Sequence, residues 1–224
     1  MIKPAMIHES PWDKQIFGID SYELAEATLE NFQFTKNHPG HYTARVHPLA
    51  SKALLHQFGF YYCDSLLEPF CTKETFISAE DSRCSFSQDH CLEDLLPISH
   101  EAFIFGRFNR DFNLSVEKPK NRYDQWLSQL HSENKVYSLL MDNALAGFIA
   151  IEENRLILHA LDSKFRGQGL AKKLWTPVCR ALLSKDFTEI KSSISATNLA
   201  AVNLYGALGF KFRNPLDIYH KFTP

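Results

Sequence analysis

Three short apolar runs joined by two tight turns constrain the fold of this 224-residue chain more than any other feature. The runs are Val136–Met141, Leu145–Ile151 and Leu156–Leu161. Asp142-Asn143 separates the first two runs, and Glu152-Glu153-Asn154 separates the last two. Short apolar runs joined by turn residues of this kind are typical of antiparallel hairpins. The sequence therefore predicts a three-stranded antiparallel meander.

A glycine-containing loop and a helical pattern follow the meander. The loop is Arg166-Gly167-Gln168-Gly169, and Leu170–Leu183 carries apolar residues at helical spacing. Glycine lets a backbone approach a ligand closely, and the first turn of a helix offers unpaired N–H groups. This combination suits a pyrophosphate, although a strand-to-helix turn without a ligand has the same pattern. A dinucleotide-binding fingerprint fits poorly because Lys172 occupies the third glycine position, and the spacing excludes a Walker loop.

A second segment of interest closes the chain. After a strand over Ile190–Ala196, the pattern predicts a short helix over Asn198–Leu208 that ends at Gly209. Residues 46–60 echo residues 196–210 at a constant offset. The identical positions in the first copy are Leu49, Ala50, Leu54, Gly59 and Phe60. This echo favours an ancient duplication.

The two C-terminal segments resemble the GNAT superfamily of N-acetyltransferases. Arg166, Gly169 and Ala171 match its R/Q-x-x-G-x-G/A signature. Residues 198–210 match its N-x-x-A-x-x-L-Y-x-x-x-G-F segment, with Asn198 and Tyr205 at the positions of interest. The resemblance implies an α/β (α+β) fold with a mixed, mostly antiparallel, twisted sheet flanked by helices.

The resemblance also suggests a division of the chain. Residues 91–224 are expected to form the catalytic domain, residues 1–78 a smaller degenerate GNAT-like half-domain, and residues 79–90 a linker. In the N-terminal copy Pro48 stands in place of Asn198 and Leu55 in place of Tyr205. We therefore expect the N-terminal half to be a scaffold without catalytic residues.

The resemblance implies acetyl-CoA as co-substrate and direct transfer of its acetyl group to an amine. The expected acetyl-CoA site comprises Leu161, Arg166, Gly167, Gln168, Gly169, Leu170, Ala171 and Asn198. Backbone N–H groups near Leu158–Leu161 are candidates to stabilise the tetrahedral oxyanion. A phenol with an ordinary pKa near 10 is protonated at neutral pH, so Tyr205 is the candidate acid for the leaving thiolate.

The acceptor amine is suggested by residues that precede the meander. The phrase Gly106-Arg107-Phe108-Asn109-Arg110-Asp111, followed by Arg122-Tyr123-Asp124-Gln125-Trp126, resembles the family's sugar-nucleotide branch, the dTDP-fucosamine acetyltransferases. That branch acetylates the 4-amino group of a nucleotide-linked amino-deoxysugar. Arg107 and Arg110 suit a diphosphate, and Tyr123 and Trp126 suit stacking, although surface cations and core aromatics have the same appearance. The alternative acceptors are a small amine, an amino acid or a peptide N-terminus.

No general base stands out in the sequence. His159 lies on the third apolar run, where it is either near the acceptor or a hydrogen-bonded core histidine. Glu101, Glu152 and Asp111 are weaker candidates, and many GNAT enzymes use ordered water instead. A non-catalytic acyl-CoA-binding module is the alternative of another class, and retention of Asn198 and Tyr205 argues against it.

Composition excludes several other classes. The net charge of -2 and pI near 6.5 do not favour nucleic-acid binding. The five cysteines show no metal-binding spacing, so we expect no metal, and their scatter suits reduced thiols. Residues 1–4 lack a signal-peptide pattern, and no apolar run approaches the roughly 20 residues of a membrane helix. We expect a cytoplasmic protein, compatible with a homodimer.

Overall fold

The computed structural model describes residues 6–115 and 118–224, without the side chain of Lys118. The prediction about residues 1–4 falls outside this range. The helices are α1 (Pro11–Phe17), α2 (Leu29–Asn37), α3 (Ala53–Gln57), α4 (Leu92–Ala102), α5 (Lys118–Ser132), α6 (Ala171–Leu183) and α7 (Leu199–Ala207). Short 3-10 helices cover Arg107–Arg110 and Ser163–Phe165. None of the described helices is long and apolar enough to cross a membrane.

The strands form one mixed sheet. They are β1 (Ile7–Glu9), β2 (Ser21–Leu24), β3 (Gly40–Val46), β4 (Tyr61–Cys71), β5 (Cys84–Ser87), β6 (Val136–Met141), β7 (Ala144–Glu152), β8 (Arg155–Leu161), β9 (Ile190–Ser192), β10 (Ile194–Ser195) and β11 (Lys211–Thr223). Their order is β1-β2-β3-β11-β4-β9-β8-β7-β6-β5, and β10 also pairs with β4. Only the pairs β2/β3 and β8/β9 are parallel among the described strands. The predicted α/β class, with a mostly antiparallel sheet flanked by helices, is confirmed.

The predicted meander is present as β6, β7 and β8. Asp142, Asn143 and Glu153 have positive φ angles, which the tight turns between these strands require. The helix predicted to follow the glycine loop begins at Ala171 and buries Leu174, among other residues, against the sheet. Local periodicity and turn chemistry were sufficient to predict this part of the fold.

The two ends of the chain exchange strands at the centre of the sheet. The C-terminal strand β11 lies between β3 and β4, and β4 in turn lies between β11 and β9. The last long strand of the N-terminal half, β4, therefore pairs with β9 of the C-terminal half, and the last strand of the C-terminal half, β11, pairs with β3 of the N-terminal half. The hydrogen bonds between β4 and β11 join the N-terminal and C-terminal halves through a shared central pair.

The sequence echo coincides with this strand pair. The echo relates Tyr61 to Lys211 and Phe70 to His220. In the sheet, Tyr61 pairs with His220 and Lys211 pairs with Phe70, so the two pairs are equivalent under a local twofold axis. Helices α3 and α7, which precede the two strands, are also equivalent in the echo. The register supports the duplication that the sequence suggested.

Residues 79–90, expected as a linker, are largely attached to the fold. They include β5, which pairs with β6 at the end of the sheet. The backbone N–H of Ala79 donates to Thr176 Oγ1 at 2.9 Å, and Lys173 pairs with Asp81 at 2.9 Å. This segment is thus packed against α6 for much of its length, and the division at residues 78 and 91 stays a prediction.

Candidate functional site

A cleft opens where β8 and β9 separate. These parallel strands pair only at Arg155–Lys191 and Leu156–Ser192, and Ile157 is an extra residue opposite β7. The bulge turns β8 away from β9, and a cleft of about 330 Å³ opens at this point. Residues 157–159 line one side and residues 193–195 line the other.

The pairing of β8 leaves backbone groups facing this cleft. The N–H of Asp162 donates to the carbonyl of Ala146 at 2.9 Å, so this pair is hydrogen-bonded. Hydrogen-bonded and non-hydrogen-bonded pairs alternate in an antiparallel ladder. The N–H groups of Leu161 and His159 are therefore turned away from β7, towards the side where β9 has left. This is the geometry that an oxyanion donor requires.

The glycine loop connects the end of β8 to α6. Gly167 and Gly169 have φ angles of 74° and 71°, in the left-handed region that favours glycine. Arg166 Nε donates to the carbonyl of Leu161 at 2.8 Å, which holds the loop against the strand. Leu170 is the N-cap of α6 and gives no side-chain cap, so the first-turn N–H groups keep their capacity for an anion. Gln168 donates to the carbonyl of Lys164 and closes the loop.

Tyr205 and His159 form a hydrogen-bonded pair beside the cleft. The Tyr205 hydroxyl lies 2.8 Å from His159 Nε2. Tyr205 is completely buried, whereas the His159 ring lines the cleft. Burial raises the pKa of Tyr205 above its ordinary value, so the phenol keeps its proton at neutral pH. Burial also lowers the pKa of His159 to about 4, so its ring is neutral and can accept a hydrogen bond from the phenol.

Asn198 lies at the other wall of the cleft. It is the N-cap of α7, and its Oδ1 accepts from the N–H of Ala201 at 3.2 Å. The cap fixes the orientation of this side chain next to the opening between β8 and β10. The expected site residues Asn198 and His159 are therefore in the same cleft, and Tyr205 reaches it through His159.

Of the two arginines expected to bind the acceptor, only Arg107 lines the cleft. Arg110 is engaged by the protein instead. Its Nη1 donates to Asp64 Oδ1 at 2.8 Å, and its Nη2 donates to the carbonyl of Phe105 at 2.9 Å and to Thr197. Arg110 does not line the cleft, and these contacts engage its guanidinium, so its assignment to the substrate stays a prediction. Arg110 instead ties the loop after α4 to the wall that carries Asp64.

The expected aromatic residues do lie at the cleft. Tyr123 and Trp126 both line it. Tyr123 stacks on Phe103 with ring centroids 4.4 Å apart, and burial raises its pKa. Trp126 contacts Trp12 edge to face at 6.5 Å. Helix α1, which carries Trp12, and helix α5, which carries Tyr123 and Trp126, are thus neighbours in the fold although they are far apart in sequence.

Two further cleft residues were missed by sequence reasoning. Arg45 on β3 and Arg122 on α5 both line the cleft. Arg45 comes from the half of the chain that we expected to be only a scaffold, so residues 91–224 do not build the cleft alone. No motif marks Arg45. A lone arginine near the end of a strand predicts only an exposed side chain, so nothing in the sequence places it in a binding site.

The weaker base candidate Asp111 is buried away from the cleft in a hydrogen-bond network. Its Oδ2 accepts from His41 Nε2 and His220 Nδ1, each at 2.7 Å. Its Oδ1 accepts from the Tyr61 hydroxyl at 2.7 Å. Burial alone would raise the pKa of Asp111, but the hydrogen bonds from His220, His41 and Tyr61 outweigh it and hold that pKa far below its usual range. Asp111 therefore anchors the 3-10 segment that carries Arg107.

Comparison with known proteins identifies the fold family. A family model described as an acetyltransferase (GNAT) domain matches residues 104–218, just over half of the chain. N-acetylaspartate synthetases from Rattus norvegicus and Homo sapiens are each 30% identical over 86 residues, which cover 36% of this chain. The matched region spans only 29% of the rat protein and 28% of the human one, so this chain corresponds to less than a third of either relative.

Solved structures show the same fold. A GCN5-related N-acetyltransferase from Sphaerobacter thermophilus has a TM-score of 0.61 at 14% identity, covering 91% of this chain and 72% of that one. A tandem GNAT protein from the clavulanic acid biosynthesis pathway, solved without AcCoA, has a TM-score of 0.56 at 12% identity, covering 91% and 76%. A functionally unknown conserved protein from Staphylococcus epidermidis has a TM-score of 0.64 at 11% identity, covering 95% and 89%. At these identities the likeness shows the fold alone.

Proposed function

Because the chain belongs to the acetyltransferase (GNAT) domain family, we propose that it transfers the acetyl group of acetyl-CoA directly to an amine. GNAT acetyltransferases are acyltransferase enzymes that use acetyl-CoA as their co-substrate. The observation that carries the proposal is the Tyr205–His159 pair, 2.8 Å apart, at the wall of the cleft between β8 and β9. A binding module needs a cleft but has no use for a protonated phenol beside it.

The acetyl-CoA would lie along this cleft. The loop from Arg166 to Ala171 would hold its pyrophosphate, because the positive end of α6 and the two left-handed glycines favour an anion there. Asn198 would contact the CoA arm from the opposite wall. The thioester carbonyl would then lie near the N–H groups of His159 and Leu161, which point to the side where β9 has left β8.

The reaction proceeds through a ternary complex without a covalent enzyme intermediate. The amine attacks the thioester carbonyl, and the tetrahedral oxyanion receives hydrogen bonds from the β8 backbone. As the carbon–sulfur bond breaks, Tyr205 supplies a proton to the leaving thiolate through the ring of His159, which lines the cleft. The amine releases a proton after its attack, and this proton restores Tyr205 by the same route, so both residues end in their starting states.

The acceptor that we propose is the 4-amino group of a nucleotide-linked amino-deoxysugar. The cleft holds arginines for a diphosphate and flat aromatic rings for a base or a sugar face. Arg107, Tyr123 and Trp126, which the sugar-nucleotide resemblance assigns to the acceptor, all line this cleft, and this supports the proposal. Arg110, which the resemblance also assigned to the substrate, would contribute by holding the wall of the cleft in position.

An acidic amino acid is the second candidate. The N-acetylaspartate synthetases matched over 86 residues suggest aspartate as the acceptor. Arginine side chains bind carboxylates as well as phosphates, so the cleft suits this acceptor too. The aromatic wall of Tyr123 and Trp126 favours the larger nucleotide-linked substrate.

The first experiment follows the release of free CoA from acetyl-CoA with dTDP-4-amino-4,6-dideoxygalactose, aspartate and a neutral amine as acceptors. We expect release that depends on the amine. Tyr205→Phe should keep its affinity for CoA and lower kcat by about 100-fold or more, the scale of a lost general acid. His159 keeps its cleft position in that variant because phenylalanine preserves the ring that packs against it.

The matched control is Tyr62→Phe, which also removes a hydroxyl, but from a tyrosine that is half exposed on the sheet surface. Unchanged turnover in Tyr205→Phe would remove Tyr205 from the role of acid. Tight CoA binding without release of CoA in the presence of any of the three amines would support the acyl-CoA-binding module instead.

A further inference from the structure

Three guanidinium groups converge on one wall of the cleft. Arg45 extends from β3, Arg107 from the 3-10 helix and Arg122 from α5, and all three line the cleft. The wall is therefore built from both halves of the chain. It lies on the side of the cleft that holds Tyr123 and Trp126, and none of the residues of the α6 loop is part of it.

The carboxylates on this wall do not neutralise the arginines. Arg45 forms a bidentate pair with Glu23, with Nη2 2.7 Å from Oε1. Arg122 Nε donates to Asp13 Oδ1 at 2.9 Å. A third carboxylate at the cleft, Asp64, is paired with Arg110. The other three cations thus face two carboxylates, and one positive charge is left over.

Arg107 is the cation with the poorest pairing. Its Nη2 lies 3.4 Å from Glu23 Oε1, an oxygen that already accepts from Arg45. A guanidinium has five N–H donors, and the described residues give that of Arg107 no other hydrogen bond. Its side chain is only 13% exposed, and that exposed part faces the cleft. The unused donors of Arg107 are therefore available to a ligand in the cleft.

The electrostatics point in the same direction. Burial, followed by the charges of Arg45 and Arg122, lowers the pKa of Arg107 to about 10, while Glu23 and Asp13 oppose this shift. The charges of Arg45 and Arg122 thus disfavour the cationic form of Arg107 in a partly dehydrated wall. An anion in the cleft relieves this repulsion, and guanidinium groups bind phosphate and carboxylate in a bidentate manner.

We infer that Arg45, Arg107 and Arg122 form a subsite that binds an anionic group of the acceptor, a phosphate or a carboxylate. The inference rests on the proposed function only for the statement that the anion belongs to the amine substrate. It gives the N-terminal half a direct part in substrate binding through Arg45. Glu23 and Asp13 hold the guanidinium planes in place for the incoming anion.

Binding is measured by calorimetry on the full chain saturated with CoA, so that the pyrophosphate loop at α6 is already occupied. The probes are thymidine diphosphate for the phosphate source, aspartate for the carboxylate source and thymidine as the uncharged comparison. We expect a charged probe to bind at least tenfold more tightly than thymidine. Arg107→Gln and Arg45→Gln should each weaken that binding about tenfold or more, and more salt should weaken it further.

The control is Arg180→Gln, which removes an exposed arginine of α6 that pairs with Glu80 outside the cleft. Arg107→Lys keeps the charge, and partial recovery of binding would confirm that charge rather than packing is responsible. Preference for thymidine diphosphate assigns a phosphate, and preference for aspartate assigns a carboxylate. Equal binding by Arg107→Gln, Arg45→Gln and wild type would overturn the subsite, as would failure of both charged probes to bind.

The two proposals fail separately in this design. Arginine-dependent anion binding without acetylation of any amine refutes the proposed function and keeps the subsite. Acetylation with acceptor KM values unchanged in Arg107→Gln and Arg45→Gln keeps the function and refutes the subsite.

Discussion

Replacing Asp111 by asparagine should destabilise the protein and disturb acceptor binding together. The carboxylate is fully buried and accepts from His41, His220 and Tyr61, each at 2.7 Å, and from the N–H of Asn113 at 3.0 Å. Asparagine has nearly the same shape but no charge, and one of its two positions is an NH₂ group.

The magnitude follows from those contacts. A hydrogen bond to a charged group contributes about 1.5–3 kcal/mol, against about 0.5–1.5 kcal/mol for a neutral one. His41 and His220 both donate to Oδ2. Tyr61 and the N–H of Asn113 both donate to Oδ1. The NH₂ group of asparagine therefore faces one of these two pairs of donors. Loss of charge at two to four bonds gives an expected decrease of about 2–4 kcal/mol in the free energy of unfolding.

Urea unfolding at neutral pH measures this decrease, with the exposed Asp186→Asn as the control. The m-value should stay unchanged, since the same surface becomes exposed on unfolding. Because Asp111 anchors the segment of Arg107, KM for an anionic acceptor should rise while CoA affinity stays at its wild-type value. A loss of stability below about 1 kcal/mol, at unchanged m-value, would refute the assignment of this network as an anchor.

Two other predictions concern stability. Gly209→Ala should lower the free energy of unfolding by at least about 2 kcal/mol, because the φ of Gly209 is 82° and a Cβ would lie 1.9 Å from the carbonyl oxygen of Thr75. Its echo counterpart Gly59 has a φ of 78° and open space around it, so Gly59→Ala should lower that free energy by only about 1 kcal/mol in the same urea experiment. Stability should also fall as pH drops from 7 towards 4, because burial lowers the pKa of His220 to about 3 and only the unfolded chain takes up its proton below pH 6.5. Thermal melts across this range should show a shallower pH dependence in His220→Gln, and an equal dependence in both proteins would contradict the buried neutral histidine.

Much of the C-terminal half could be predicted because its signals are local. The meander over residues 136–161 rests on apolar alternation and on turn residues with positive φ, and both act within a few residues. The helix before Gly209 follows in the same way, since its N-cap Asn198 and its terminal glycine are read directly from the chain. Motif spacing added the glycine loop.

The partition of the chain was harder to predict. A polar segment such as residues 79–90 has the composition of a linker, and nothing local shows that Cys84–Ser87 completes the sheet beside β6. Strand exchange between β4 and β11 depends on hydrogen bonds between residues some 150 positions apart, for which the echo was the only sequence signal. Two GNAT-like halves that share their central strands remain our proposal for this organisation.

Arginine roles were also undetermined by sequence. Arg107 and Arg110 lie one 3-10 turn apart in the same motif, and both were candidates for the acceptor. Arg110 meets the buried carboxylate of Asp64, which comes from the N-terminal half, and its donors are used there. Among the described residues, Arg107 hydrogen-bonds to the carboxylate of Glu23, which it shares with Arg45, and its other donors stay available to the cleft.

The sequence alone was sufficient to predict the family and to propose the glycine loop and Tyr205 as site residues, because each depends on a motif whose residues are close together in the chain. Only the tertiary structure decided which charges face the cleft. Arg45, Arg107 and Arg122 converge from three separate elements. The number of N–H donors that a guanidinium can offer to a ligand depends on which carboxylates the fold places beside it. That neighbourhood is set by long-range packing, which no local pattern encodes.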